Sequence, residues 1–261
     1  MRDIVRAKTC TAAWLEAVNY LINLDHKHDF NLILEVSDPM KVLASEAKIK
    51  IELDTLLRRN KKQTIGTVIN TIFPATLYSK HGRAEMFKAY KDEVYPKLKK
   101  HPDTKWGTYF MRMTDRPGPD GKSVNLLDYL IDKLKKEVTT PGPKTAVYEM
   151  NLIDVAAEIP IYDGPEDKHY HMGGPCLSHL SFKLDDDGKL LLTVMYRLHY
   201  YIQRTLGNLF GLALLQDFIA KEAGIKAGSL VCISTKAVLD HENMSMIDIR
   251  KMIDKCNDFM K

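Results

Sequence analysis

Between Ser178 and Gly224 the hydrophobic pattern of this chain changes period once, from two to 3.6, and that change constrains the fold more than any other feature. From Ser178 to Leu184, Leu180, Phe182 and Leu184 fall on one face while His179, Ser181 and Lys183 fall on the other, the alternation of a half-buried strand. The Asp-rich stretch Asp185 to Gly188 then turns the chain into a second apolar run, Lys189 to Arg197, so the two runs are expected to pair as an antiparallel hairpin. From Leu206 the spacing of Leu209, Phe210, Ala213, Leu214 and Phe218 is helical, and Gly224 supplies a left-handed stop. A hairpin followed directly by a long apolar helix places the chain in the α+β class.

The remaining segments fit that class. Thr11 is expected to cap a helix through Trp14, Leu15, Val18, Leu21 and Ile22, and Asn31 to Val36 reads as a buried strand stopped by Asp38-Pro39. A Lys-rich helical section follows, with breaks expected at Phe73-Pro74 and near Tyr95-Pro96. Arg116 to Lys122 reads as a loop, and after it Leu127, Leu130, Ile131 and Leu134 share one helical face. Further loops are expected over Thr139 to Lys144 and Pro160 to Gly174, a short strand over Leu230 to Ser234, and a closing helix from Asp248 to Met260. No internal repeat or linker divides the chain, which predicts a single domain over residues 1–261.

Composition excludes several function classes. A chain of 261 residues with 45% hydrophobic and 28% charged residues can bury a substantial core and lacks the signature of disorder. Its longest apolar runs are too short to span a bilayer, and MRDIVRAKTC does not read as a secretory leader, so a cytoplasmic location is expected. Cys10, Cys176, Cys232 and Cys256 stand far apart, which argues against a disulfide framework or a zinc ribbon. His169 and His171 have an H-x-H spacing, but no carboxylate or cysteine set completes a site, so no metal is expected. The net charge of +4 is too slight to imply a nucleic acid partner on its own and is compatible with a small anionic ligand.

One ordered set of residues carries chemistry: Pro175-Cys176, the hairpin, Tyr196-Arg197, and Asn208-x-Phe210-Gly211 at the start of the long helix. This set resembles the thymidylate synthase and pyrimidine nucleotide hydroxymethylase family, in which a Pro-Cys dipeptide precedes a strand pair, an arginine ends the second strand and an asparagine opens a buried helix. The interval from Arg197 to Asn208 is similar to the family's, and YRLHYYIQRTLGNLFGLALLQ resembles its archaeal branch. The similarity implies a mixed or antiparallel sheet flanked by helices around a long buried helix. It also implies a nucleophilic Cys176, substrate contacts from Arg197, Asn208, Gly211 and Lys144, and a homodimer in which Lys144 reaches the partner's pocket.

The residue types suit that chemistry. A pyrimidine is inert at C5 until a nucleophile adds at C6, and a thiolate does this readily. A guanidinium stabilises the thiolate and offers the donor fork that a phosphate needs. The carboxamide of Asn208 has both a donor and an acceptor for the N3 and O4 edge of uracil. His199 and Tyr200 are the candidate acid/base groups, together with His179.

Several family positions differ. Leu198 stands where a serine follows the phosphate-binding arginine, and Tyr200 stands where an aspartate meets the folate pterin. Ala237 and Leu239 replace a histidine and a tyrosine that bond the sugar hydroxyl, and no carboxylate lies in Ile69 to Phe73, where the family has a water-organising glutamate. The expected activity is transfer of a methyl or hydroxymethyl group to C5 of a uridine-type nucleotide. Methylenetetrahydrofolate is the implied donor despite its altered contacts. The alternative is a thymidylate-synthase-like nucleotide sensor or subunit without that chemistry.

Overall fold

The computed structural model describes residues 4–100, 107–117, 122–139, 148–152 and 176–261. The Pro160 to Gly174 loop with His169 and His171, and Lys144, lie outside the described residues.

The described helices are α1 (Cys10–Asn23), α2 (Ala44–Arg59), α3 (Ile65–Ile72), α4 (Ala75–Ala89), α5 (Tyr95–Leu98), α6 (Tyr109–Thr114), α7 (Leu126–Val138), α8 (Thr205–Ala223) and α9 (Met246–Phe259). The strands are β1 (Val5–Ala7), β2 (His28–Val36), β3 (Arg116–Pro117), β4 (Ser123–Val124), β5 (Glu149–Asn151), β6 (Leu177–Leu184), β7 (Leu190–Tyr196), β8 (His199–Tyr200) and β9 (Ala227–Val238). Seven of them form a mixed sheet in the order β1-β2-β9-β7-β6-β5, with β8 also on β9. The architecture is α+β.

The hairpin expected from the alternation is present as β6 and β7, paired antiparallel from Leu177 opposite Tyr196 to Leu184 opposite Leu190. β9 is longer than the expected Leu230 to Ser234, because it is paired along both edges and its polar end, Thr235 to Val238, is held by β2 and β8. Its first part pairs with β7 and its last part with β8. β7 and β8 are thus two pieces of one path along β9, interrupted at Arg197 and Leu198. The Thr235 hydroxyl donates to the carbonyls of Tyr196 (3.2 Å) and Arg197 (2.8 Å), which satisfies backbone groups freed by the break.

α8 lies in the core, with 15 of its 19 residues buried. It is therefore apolar nearly all round rather than amphipathic. Gly207 and Gly211, one turn apart, permit close approach of α3: a Cβ on Gly207 would meet Val68 Cβ at 2.7 Å, and one on Gly211 would meet Ile72 Cβ at 3.0 Å. Gly224 ends the helix at φ 78°, the left-handed conformation expected of it.

The N-terminal cap of α1 is Thr9 rather than Thr11. Thr9 has an extended backbone, and its hydroxyl accepts from the Ala12 amide at 3.1 Å, whereas Thr11 lies buried inside the first turn. Pro96 does not break the chain's helical path. A π-helical turn over Tyr90–Val94 precedes α5 and leaves Pro96 in the first turn, where its missing N–H breaks no intrahelical bond.

Candidate active site

Cys176 immediately precedes β6 and is partly exposed, whereas Cys10, Cys232 and Cys256 are buried. Burial pushes the thiols of Cys10 and Cys256 up to about 12 and raises that of Cys232 as well, so all three stay protonated near neutral pH. Tyr109, at the start of α6, seats the Cys176 backbone: its hydroxyl accepts from the amides of Cys176 (3.2 Å) and Leu177 (3.3 Å). The Cys176 carbonyl accepts from the Arg197 amide at 2.9 Å. Arg197 therefore stands opposite Cys176 at the open end of the hairpin, in the gap between β7 and β8, with an exposed side chain.

Asn208 enters from the first turn of α8 and is buried. Its Nδ2 lies 3.0 Å from His199 Nε2, and His199 Nδ1 lies 3.0 Å from the Ser234 hydroxyl. In this arrangement Asn208 donates and His199 accepts at Nε2, leaving the imidazole proton on Nδ1, toward Ser234. The ring stacks on Tyr196 at 4.0 Å, and burial pushes its pKa down to about 3, so it is neutral. His199 thus lies behind Asn208, orienting the carboxamide, with both nitrogens engaged.

Tyr200 points differently. It is 36% exposed, and burial together with the negative charges of Cys176, Glu242 and Asp240 raises its phenol pKa. Tyr109 is raised by burial and by Cys176, while Arg204 opposes the shift. Arg204 lies one turn before Asn208 and donates to the Gln63 side chain. The Tyr200 and Tyr109 phenols both feel Cys176, Arg204 acts on Tyr109, and Arg197 meets Cys176 through the backbone. The Cα of Gly211 faces Ile72 of α3, where the glycine serves helix packing. His179 lies on β6, its Nε2 2.8 Å from Glu149 and its Nδ1 2.7 Å from Asn151. Lys144 is outside the described residues.

No family model matches the chain. A protein of Methanosarcina barkeri named "Putative thymidylate synthase" is 29% identical over 136 residues, 52% of this chain and 54% of the relative. Proteins of the same name from Methanococcoides burtonii and Methanosarcina mazei are 30% identical over 124 residues (47% and 49%) and 29% identical over 137 residues (52% and 54%). The likeness supports a thymidylate-synthase-like family. The chain spans about half the length of the curated relatives it matches.

Tyr109, Arg204 and Asp240 are residues around Cys176 and Tyr200 that the sequence did not single out. The Tyr109 to Arg112 segment bears a weak family similarity, but the bond from Tyr109 to the Cys176 amide spans 67 residues of chain. Among the described residues, no group of three or more His, Cys, Asp or Glu side chains gathers as a metal site, and no helix is long and apolar enough to cross a membrane.

Proposed function

We propose that this protein transfers a one-carbon group, methyl or hydroxymethyl, to C5 of a uridine-type pyrimidine nucleotide through a Cys176 adduct. The observation that carries the reading is that Cys176, the one partly exposed cysteine, is held opposite Arg197 by a backbone hydrogen bond at the hairpin end. The Cys176 thiolate forms an S–C6 bond, and the displaced electron pair passes to C5 and O4 as an enolate. Arg197 takes the phosphate, and Asn208, oriented by His199, meets the N3 and O4 edge. C5 bonds to the one-carbon electrophile, whose carrier leaves with the bonding electron pair, and then loses its proton; a formaldehyde-level donor with water gives the hydroxymethyl product, whereas a methyl product requires a donor already at the methyl level. The returning electron pair expels Cys176 from C6. Tyr200, the exposed phenol near the sulfur, is the candidate acid/base group.

Methylenetetrahydrofolate fits these residues poorly. The paired N–H groups of a pterin edge match the two oxygens of a carboxylate, whereas Tyr200 offers a single phenol oxygen. No step is assigned to the folate. We also take the active form to be a homodimer packed through the sheet. The sheet face bearing Ile33, Val231, Ile233, Leu191 and Met195 is only partly buried, with Met195 38% exposed, and a polar fringe of Glu149, His179 and Lys183 borders it.

Incubation with 5-fluoro-dUMP, with and without methylenetetrahydrofolate, tests the chemistry. The expected result is a covalent mass increase on Cys176. No adduct under any of these conditions overturns it, and nucleotide binding by the wild type with neither adduct nor turnover identifies a sensor instead.

A further inference from the structure

The turn from Tyr200 to Arg204 joins β8 to α8, and the four amides that follow Tyr200 are all engaged. Tyr201 N–H donates to Val238 O at 2.9 Å and Arg204 N–H to Tyr200 O at 3.0 Å. The other two meet one side chain: Ile202 N–H donates to Asp240 Oδ1 at 2.8 Å, and Gln203 N–H donates to Asp240 Oδ2 at 3.2 Å. Asp240 lies just beyond β9 and is 5% exposed. Burying a carboxylate is costly unless its oxygens are satisfied. Here its partners are amides of the turn rather than a cation, and the positive end of α8 begins two residues further on.

What this turn carries connects Asp240 to the Cys176 site. Tyr200 opens it and Arg204 closes it. The charges of Cys176, Glu242 and Asp240 all bear on the Tyr200 phenol of β8, whereas the groups that bear on Asp240 are the Ile202 and Gln203 amides, its own amide and the Gln203 side chain. Arg204 O accepts from Asn208 N at 2.8 Å, so the turn also sets the first turn of α8.

We propose that Asp240 is a positioning residue for the Cys176 site: its ionised carboxylate holds the turn so that Tyr200 and Arg204 face the thiol. The proposal rests on the reading of Cys176 as a nucleophile toward a uridine-type nucleotide. Protonation removes the charge that holds two amides at once, and the turn then relaxes. Burial raises the Asp240 pKa to about 6, which puts the change within an accessible range. Because the folded pKa is the higher one, the native state binds a proton that the unfolded chain lacks between the usual carboxylate value of 3.8 and about 6, so stability from this group increases as pH falls even as the positioning is lost.

The test measures the rate of covalent attachment of 5-fluoro-dUMP to wild type and to Asp240→Asn from pH 5 to 8, with thermal melting alongside. The expected result is a variant slower by about tenfold or more at pH 7.5, the loss of a hydrogen bond to a charged group. The ratio of the two rates contracts toward one by pH 5, where the wild type is itself protonated. A folded variant with wild-type rates, or a ratio that stays constant with pH, overturns this proposal alone. A wild type that takes no adduct at any pH overturns the nucleophile reading and this proposal with it. Should Asp240→Asn fail to fold, hydrogen exchange in the wild type decides. Protection at Ile202 and Gln203 is expected to fall between pH 7.5 and 5 beyond the intrinsic change, and unaltered protection overturns the proposal.

Discussion

The amide of Arg197 donates to the carbonyl of Cys176 across 2.9 Å, so the residue before β6 and the residue after β7 oppose each other at the end of the hairpin. The backbone, rather than a side-chain contact, sets the register between sulfur and guanidinium. Replacing either side chain should therefore leave the ladder intact. Cys176→Ser is expected to fold normally and take no 5-fluoro-dUMP adduct. Arg197→Lys is expected to keep the adduct but weaken nucleotide binding by about tenfold or more, because an ammonium lacks the planar fork that meets two phosphate oxygens. Calorimetry with dUMP reads the second effect, and unchanged affinity in Arg197→Lys removes the phosphate from that residue.

His199 makes the stability of the fold depend on pH. Burial depresses its pKa from 6.5 to about 3, so across this window the unfolded chain binds a proton that the native state refuses. Stability from this group is complete above about pH 6.5 and is lost as pH falls, by on the order of 1.4 kcal/mol for each pH unit crossed. Denaturant unfolding at pH 7 and pH 5 measures the loss. In His199→Gln, whose carboxamide does not titrate in this range, this part of the dependence should vanish. An unchanged slope would falsify the assignment of a neutral, buried imidazole.

Local pattern and tertiary geometry were not equally readable. The β6–β7 hairpin, α8 with its Gly224 stop, and the four buried residues of α7 follow from the hydrophobic pattern, since the hairpin and α7 each bury one regular set of apolar positions and α8 is apolar nearly all round. The cap at Thr9 and the length of β9 were misjudged, because backbone conformation decides the first and neighbouring strands the second. Within the site, Cys176, Arg197 and Asn208 were legible as an ordered motif. The burial of His199 and the packing role of Gly211 were not, because they depend on Tyr196, Ser234 and Ile72 arriving from other elements. Asp240 carries no local signal, since its amide partners lie 38 and 37 residues away in sequence.

Asn208 and His199 are 3.0 Å apart, which makes the charge at position 208 consequential. Asn208→Asp puts a carboxylate against an imidazole that is now neutral. The carboxylate favours the imidazolium, so the His199 pKa should rise, and the pair should hold a shared proton at neutral pH. An aspartate can also take a proton to present to N3 of cytosine, so the variant is expected to lose affinity for dUMP and gain it for dCMP. Competition between the two nucleotides for the binding site measures the change. Equal losses for both would show that the carboxamide does not read the base edge.

Gly207 and Gly66 give opposite expectations for the same change. A Cβ on Gly207 would meet Val68 Cβ at 2.7 Å and the Ile65 carbonyl at 3.1 Å, so α3 and α8 would have to separate. Overpacking of this kind costs about 1–3 kcal/mol and outweighs the gain of about 1 kcal/mol in helix propensity at most such positions. Gly66 is an exposed residue of α3 whose added Cβ finds only the Thr64 hydroxyl, at 4.0 Å. Gly66→Ala should therefore raise the melting temperature by a degree or more, while Gly207→Ala lowers it by several, at roughly 2–4 °C per kcal/mol. Because Gly207 adjoins Asn208, the destabilised variant should also bind nucleotide more weakly. Gly207→Ala melting at or above the wild-type temperature would mean that the two helices do not meet at these glycines.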